Sequence, residues 1–133
     1  MNNIVCDALL FADKVITEDN GKKGVIGIFD SVAVRSFPGA VPPFHIFVIL
    51  RNLSEGDHET TFALTREESQ QVLLSIPGEI HVRQPRGKIE MAFPVQGVIF
   101  HKPGKYELTV HVDGSFVASS PVYVKQFSGK TKE

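Results

Sequence analysis

The stretch that most constrains this chain is residues 103–124, Pro-Gly-Lys-Tyr-Glu-Leu-Thr-Val-His-Val-Asp-Gly-Ser-Phe-Val-Ala-Ser-Ser-Pro-Val-Tyr-Val. Tyr106, Leu108, Val110 and Val112 alternate with Glu107, Thr109, His111 and Asp113, and a period of two buries one face of a strand and wets the other. Asp113-Gly114 suits the paired positive φ angles of a type I′ hairpin turn. The run that follows is again β-rich but carries Pro121 near its middle. Proline cannot donate to a ladder, so this run is expected at a sheet edge or a bulge. The stretch specifies an antiparallel β-hairpin and carries no chemistry.

The remainder of the chain is punctuated in the same manner. Eight prolines and eleven glycines among 133 residues divide it into short segments, and turn signals every 8–12 residues mark a sandwich or barrel. A first strand is expected over residues 6–11, continuing near 14–17. A polar turn centred on Asn20-Gly21 follows. Residues 24–29 and 31–35 read as one β segment broken at Asp30. The run 37–43, Phe-Pro-Gly-Ala-Val-Pro-Pro, loses three backbone donors to proline and reads as an irregular crossing between sheets.

Residues 44–51 are apolar on both sides of a strand, with Phe44, Ile46, Val48 and Leu50 on one face and Phe47 and Ile49 on the other. Such a strand is covered on both faces or lies against a partner. Residues 60–65 alternate with Phe62 and Leu64 inward. Residues 66–71 alone have helical composition, one turn with Thr65 as N-cap and Glu68 in the capping-box position. Strands are expected over 72–76 and 79–84, parted by Pro77-Gly78. A turn is expected at 85–87, and strands over 89–93 and 95–100, parted by Pro94. The expected fold is an all-β, immunoglobulin-like antiparallel sandwich of seven to nine strands, with a jelly roll or flattened barrel as the alternative. Its core is Phe29, Ile46, Val48, Leu50, Phe62, Leu64, Tyr106, Leu108, Val110 and Val112. One domain spans residues 1–127 and a polar tail spans 128–133.

Tests for chemistry find little. Net charge is −1 with 22% charged residues, so no basic footprint points to nucleic acid. Gly21 to Gly27 lacks the spacing of a phosphate loop and precedes no helix. Of five histidines (45, 58, 81, 101 and 111), no two stand two apart on one strand; His111 with Asp113 is the best local ligand pair, and Asp113 already has a turn role. Glu18-Asp19-Asn20-Gly21 lacks the alternating oxygens of a calcium loop. Cys6, the single cysteine, lies in an apolar run where an inert thiol is expected, and one cysteine allows no internal disulfide. No Gly-x-Ser-x-Gly elbow occurs. The apolar run 4–12 contains Asp7 and has no basic residue before it, which makes a poor signal peptide and too short a span for a membrane. No catalytic residue, cofactor or metal is expected, nor a nucleic acid or membrane partner.

Two resemblances bear on these residues. Pro103, Gly104, Tyr106, Leu108, Val110, Val112, Ser120, Pro121, Val122 and Val124 resemble the last two strands of filamin-type immunoglobulin-like repeats, which implies an immunoglobulin-like edge at the C-terminal end. Across most of the chain, Phe11-Ala12-Asp13, Gly27-Ile28-Phe29-Asp30, Phe37-Pro38, the phenylalanine-rich strand and the terminal hairpin are similar to a group of small uncharacterised bacterial all-β proteins. That resemblance implies a bacterial, cytoplasmic protein. The expected role is a non-catalytic interaction or adaptor domain, binding another protein or a second copy of itself through Phe37, Val41, Phe47 and Ile49. The alternatives are a small-molecule pocket between the sheets or under the loop 37–43, and, third, an enzyme with a dispersed site.

Overall fold

The computed structural model describes residues 3–84 and 87–127. Part of the turn expected at 85–87, the tail 128–133 and its lysines lie outside the described residues. Eleven strands run in chain order among them: β1 (Val5–Thr17), β2 (Lys23–Phe29), β3 (Ser31–Val34), β4 (Gly39–Ala40), β5 (Phe44–Arg51), β6 (Gly56–Arg66), β7 (Val72–Val82), β8 (Ile89–Val95), β9 (Ile99–Phe100), β10 (Gly104–Val112) and β11 (Ser115–Gln126). Nine of them form two sheets, ordered β2-β1-β5-β8 and β3-β11-β10-β6-β7, while β4 and β9 pair with each other.

The terminal hairpin forms as its sequence dictates. β10 and β11 pair antiparallel, and the turn residues Asp113 and Gly114 have φ of 52° and 82°, the two left-handed positions that a type I′ turn demands. Tyr106, Leu108, Val110 and Val112 point into the core at 0–1% exposure. β11 also meets β3, but only from Tyr123 onward and in parallel. One pairing is therefore parallel where a wholly antiparallel fold was expected. Pro121 stands opposite Glu107, just before the β3 pairing begins, so its missing donor faces an open side.

Pro77 and Pro94 do not break strands. β7 runs unbroken through Pro77, opposite Thr61, and β8 through Pro94, opposite His45. Both strands are sheet edges, where an absent N–H costs no ladder bond. Gly78 is needed beside Pro77, because a Cβ there would stand 2.9 Å from the Thr60 hydroxyl. Residues 66–71 hold one α-type turn, the Gln70 N–H donating to the Arg66 carbonyl at 2.8 Å, inside the β6–β7 hairpin that the Arg66 N–H and the Gln71 carbonyl close at 2.8 Å; Gln70, at φ 61°, ends it before a helix forms. Glu68 binds the Arg66 guanidinium at 2.8 Å and caps nothing. The loop 37–43 is not wholly irregular, since Gly39 and Ala40 pair with Phe100 and Ile99.

The break at Asp30 is a crossing between sheets. β2 ends in one sheet at Phe29 and β3 starts in the other at Ser31, while the Asp30 carbonyl accepts the Tyr123 N–H at 2.8 Å. The first half of β1 and the first half of β11 each have a ladder on one side alone. They approach each other there, which curls the two sheets toward a half-barrel. One cluster fills the interior, with Leu9, Phe11, Phe44, Ile46, Val48 and Leu50 from one sheet against Phe62, Leu64, Ile80, Tyr106, Leu108 and Val110 from the other. Burying each such side chain contributes about 1.5–3 kcal/mol. Nine of the ten expected core residues are buried; Phe29 is half-buried at the crossing, edge-on to Phe44 at 5.9 Å. Leu53, in the loop after β5, is fully buried as well.

Candidate functional site

The face of the four-stranded sheet turned away from the core is largely apolar, with Lys14 opposite Ile26 and Glu90 opposite Ile49 among its charges. In register, Ile28 lies beside Ala12 and then His45 and Pro94, and the next row runs Leu10, Phe47, Ala92. Phe47, between Leu10 and Ala92, is 6% exposed and Ala12 is fully covered, yet neither belongs to the core cluster. At the β1–β2 end this face opens to solvent. Of the eight large hydrophobic side chains most exposed among the described residues, Ile16, Ile26 and Ile28 stand together here, at 43%, 46% and 60%. Ile49, on the same face, is half-buried.

Beside this face, at the Asp30 crossing, lies a groove of about 270 Å³ walled by Phe29, Val32, Val41, Pro42, Pro43 and Phe44, with Asp13 at its rim. Phe29 and Phe44 line it and pack with Phe11 of the core, their centroids 5.8–5.9 Å apart. Asp13 packs against Gly27, where any side chain would collide with its carboxylate and where φ is 74°. The four residues expected to form one contact surface are therefore divided. Val41 is buried at 9% and walls the groove from the core side, which removes it from an exposed surface. Phe37 is half-buried against the core. Phe47 and Ile49 remain on the outer sheet face, Phe47 in its floor. The loop prolines pack over the groove because their fixed φ angles hold the chain extended there.

A polar cluster sits at the opposite rim. His58 is 7% exposed, with Nδ1 2.7 Å from the Asp113 carboxylate and Nε2 2.7 Å from the Ser54 carbonyl. Both neighbours accept, so the doubly protonated imidazolium satisfies both and the neutral ring only one. The Ser54 carbonyl and then the Asp113 carboxylate raise the His58 pKa above the ordinary imidazole value. In return His58, and then the Glu59 N–H at 2.9 Å, hold the Asp113 carboxyl below 3.8. The Asp113 N–H also donates to the Glu59 carbonyl at 2.7 Å. Asp113 thus serves the turn and also ties the hairpin to the start of β6. His58 continues the inward phase of Phe62 and Leu64 back through Thr60, a signal present in the alternation of β6.

The remaining titratable groups are dispersed. His81 meets Asp57 at 2.7 Å in solvent, which raises its pKa. His111 stacks edge-on against Phe116 at 5.8 Å and shares nothing with Asp113. His45 Nδ1 lies 3.4 Å from the Asp13 carbonyl. Among the described residues, no three His, Cys, Asp or Glu side chains come close enough to hold a metal ion. The Cys6 thiol, bonded to the Ala8 carbonyl at 3.2 Å, has its pKa raised above 9.0 chiefly by burial, which leaves it protonated and weakly nucleophilic at neutral pH. Gly21 has φ 87° in the turn before β2, and Gly24 and Gly27 lie within β2. No described helix is long and apolar enough to cross a membrane.

Similarity to solved structures is confined to the fold. The alkylpurine DNA glycosylase AlkC of Pseudomonas fluorescens, bound to DNA containing an abasic site analogue, superposes on 92% of this chain with a TM-score of 0.55 and 8% identity. A β-glucosidase of Listeria innocua superposes on the same share at 0.50 and 10% identity. This chain spans 30% of the first protein and 16% of the second. No curated protein matches the sequence. Residues 7–125 match a family model throughout, and the chain belongs to that family of unknown function, DUF6941.

Proposed function

We propose that this protein is a non-catalytic interaction domain on an immunoglobulin-like sandwich, with the outer face of β2-β1-β5-β8 as its contact surface. The order β3-β11-β10-β6-β7, with β3 parallel to β11 and β2–β3 split between the sheets, supports the immunoglobulin-like reading. So does the Tyr106 hydroxyl, which donates to the Lys102 carbonyl at 2.6 Å, a bond of the tyrosine-corner kind. The observation that carries the functional reading is the cluster of Ile16, Ile26 and Ile28 beside Leu10 and Phe47 on one sheet face. An exposed apolar patch marks an interaction site, and this one surrounds a single cation, Lys14, opposite Ile26. The chain's single unpaired thiol suits a reducing, cytoplasmic setting, and the resemblance to small bacterial proteins suggests a bacterial one.

A photo-crosslinking residue placed at Ile28 or Ala92 tests the surface in cells. It is expected to capture protein from both positions and none from Ser75, on the outer face of the other sheet. Equal capture from Ser75, or none from Ile28 and Ala92, refutes the assignment. The groove at the Asp30 crossing supports a second reading, a pocket for a small apolar ligand, because Phe29, Val41 and Phe44 form its walls. A thermal-shift screen of small amphiphiles separates the two: stabilisation abolished by Val32→Trp supports the pocket, and no hit discards it.

A further inference from the structure

The free edges of the two sheets are not alike. β7 carries Pro77, β8 carries Pro94, and the open half of β11 carries Pro121 and lies against β1. β3 is only four residues long and faces Pro42 and Pro43 across the groove. Proline, shortness and cover are among the means by which edges are kept from pairing, with lysines and bulges. β2 has no proline, is not short and is uncovered: it is seven residues, Lys-Gly-Val-Ile-Gly-Ile-Phe, at the end of its sheet, with Lys23 at its start and Gly27 bent at φ 74°. Its outer side chains, Ile26 and Ile28, are among the most exposed apolar groups described.

We infer that β2 pairs with β2 of a second copy of this chain, antiparallel about a twofold axis at Ile26, joining two four-stranded sheets into one. This rests on the interaction reading and names the partner. The register follows from complementarity on the outer face. With Ile26 opposite its own copy, Gly24 falls opposite Ile28, and Lys22 falls opposite Asp30. Gly24 carries no side chain of its own and Ile16 leans over it, 3.0 Å from where a Cβ would stand, so the incoming Ile28 packs on Ile16 there. All three exposed isoleucines are thereby covered in both copies. Lys22 and Asp30 are exposed and have no ion-pair partner among the described residues, and the twofold opposes them twice. Asp30 follows β2 at the crossing, where it borders a depression with Leu10, Ile28 and Ser120. Shifting the register by two opposes Lys22 to Val32 or to Ile28 and loses both charge pairs. Gly27, at φ 74°, bends the edge beside the axis and faces Val25 of the second copy in this register.

Sedimentation velocity of the full chain up to about 1 mM, the weak end of specific association, tests this directly. The expected result is a dimer that Ile26→Lys converts to monomer with its melting temperature unchanged. Lys22→Asp and Asp30→Lys should each weaken it about tenfold, and the two together should restore it to within about threefold of wild type. A wild-type monomer across that range overturns the dimer, as does a dimer indifferent to Ile26→Lys; failure of the double reversal to restore binding overturns this pairing. A monomer whose Ile28 and Ala92 positions still capture another protein sinks the dimer and leaves the contact surface standing.

Discussion

Replacing Asp113 by Asn isolates the electrostatic part of the His58 rim cluster. Asparagine tolerates the left-handed φ of 52° at this turn position and keeps an oxygen for the Glu59 N–H, so the hairpin and its tie to β6 survive. What is lost is the negative charge 2.7 Å from His58 Nδ1. A hydrogen bond to a charged group contributes about 1.5–3 kcal/mol. The Asp113 side chain is 46% exposed, and water screens and replaces part of that interaction, which brings the expected loss to about 1 kcal/mol. For a domain of this size that is a fall of about 4 °C in melting temperature.

The pH dependence gives the test its sign. His58 has a raised folded pKa, so its contribution is complete below its unfolded value of 6.5 and is lost as pH rises through the folded pKa. Asp113 has a lowered one, so its contribution is present above 3.8 and is lost as pH falls through the folded pKa. Both groups are charged between those limits, and urea unfolding near pH 5.5 should show the full gap between wild type and Asp113→Asn, about 1 kcal/mol. Near pH 9 His58 is less charged in both proteins and the gap should shrink by about half or more. An NMR titration should show the His58 pKa falling in the variant. A gap that is flat with pH, or that widens toward pH 9, would refute the imidazolium–carboxylate assignment.

Other substitutions probe the core and the thiol. Tyr106→Phe removes only the hydroxyl bonded to the Lys102 carbonyl at 2.6 Å and should cost about 1–2 kcal/mol in urea unfolding; a neutral result would mean the corner bond is idle. Leu53→Ala empties a fully buried loop position and should cost about 2–5 kcal/mol, whereas an ordinary surface-loop position would lose under about 0.5 kcal/mol. Cys6 should alkylate with iodoacetamide several-fold more slowly than free cysteine near neutral pH, since burial holds its thiol protonated; a faster rate would point to an activated thiol.

What was legible in the chain was whatever depends on near neighbours. The alternation from Tyr106 to Val112 and the Asp113-Gly114 pair state their conformations locally, and the strand, turn and core positions follow. Arg66 to Gln71, with two glutamates and two glutamines, keeps a single α-type turn and goes no further, because a hairpin loop must close the span. Propensity of a few tenths of a kcal/mol per residue cannot compete with the β6–β7 ladder on either side. His58 was overlooked for another reason. Its partner is 55 residues away, and only its inward phase on β6 marks it beforehand.

The prolines are the more instructive case. Pro77 and Pro94 read as strand breaks because a missing donor is a penalty only where the donor would have had a partner, which the local sequence does not state. On β7 and β8 the ladder on the outer side does not exist, so the residue removes a bond that was never formed and blocks one that should not form. The same logic turns a local penalty into information about sheet order: three long β runs with an internal proline, Pro77, Pro94 and Pro121, are the three with an open side at that position. Applied in reverse, it singles out β2, the long edge whose sequence carries no proline and whose isoleucines face water. An edge left open where the others are closed is either a liability or an interface. Lys22 and Asp30, set symmetrically about Ile26, are what distinguish the second from the first, because opposite charges at matched distances from a twofold select one antiparallel register and oppose any other.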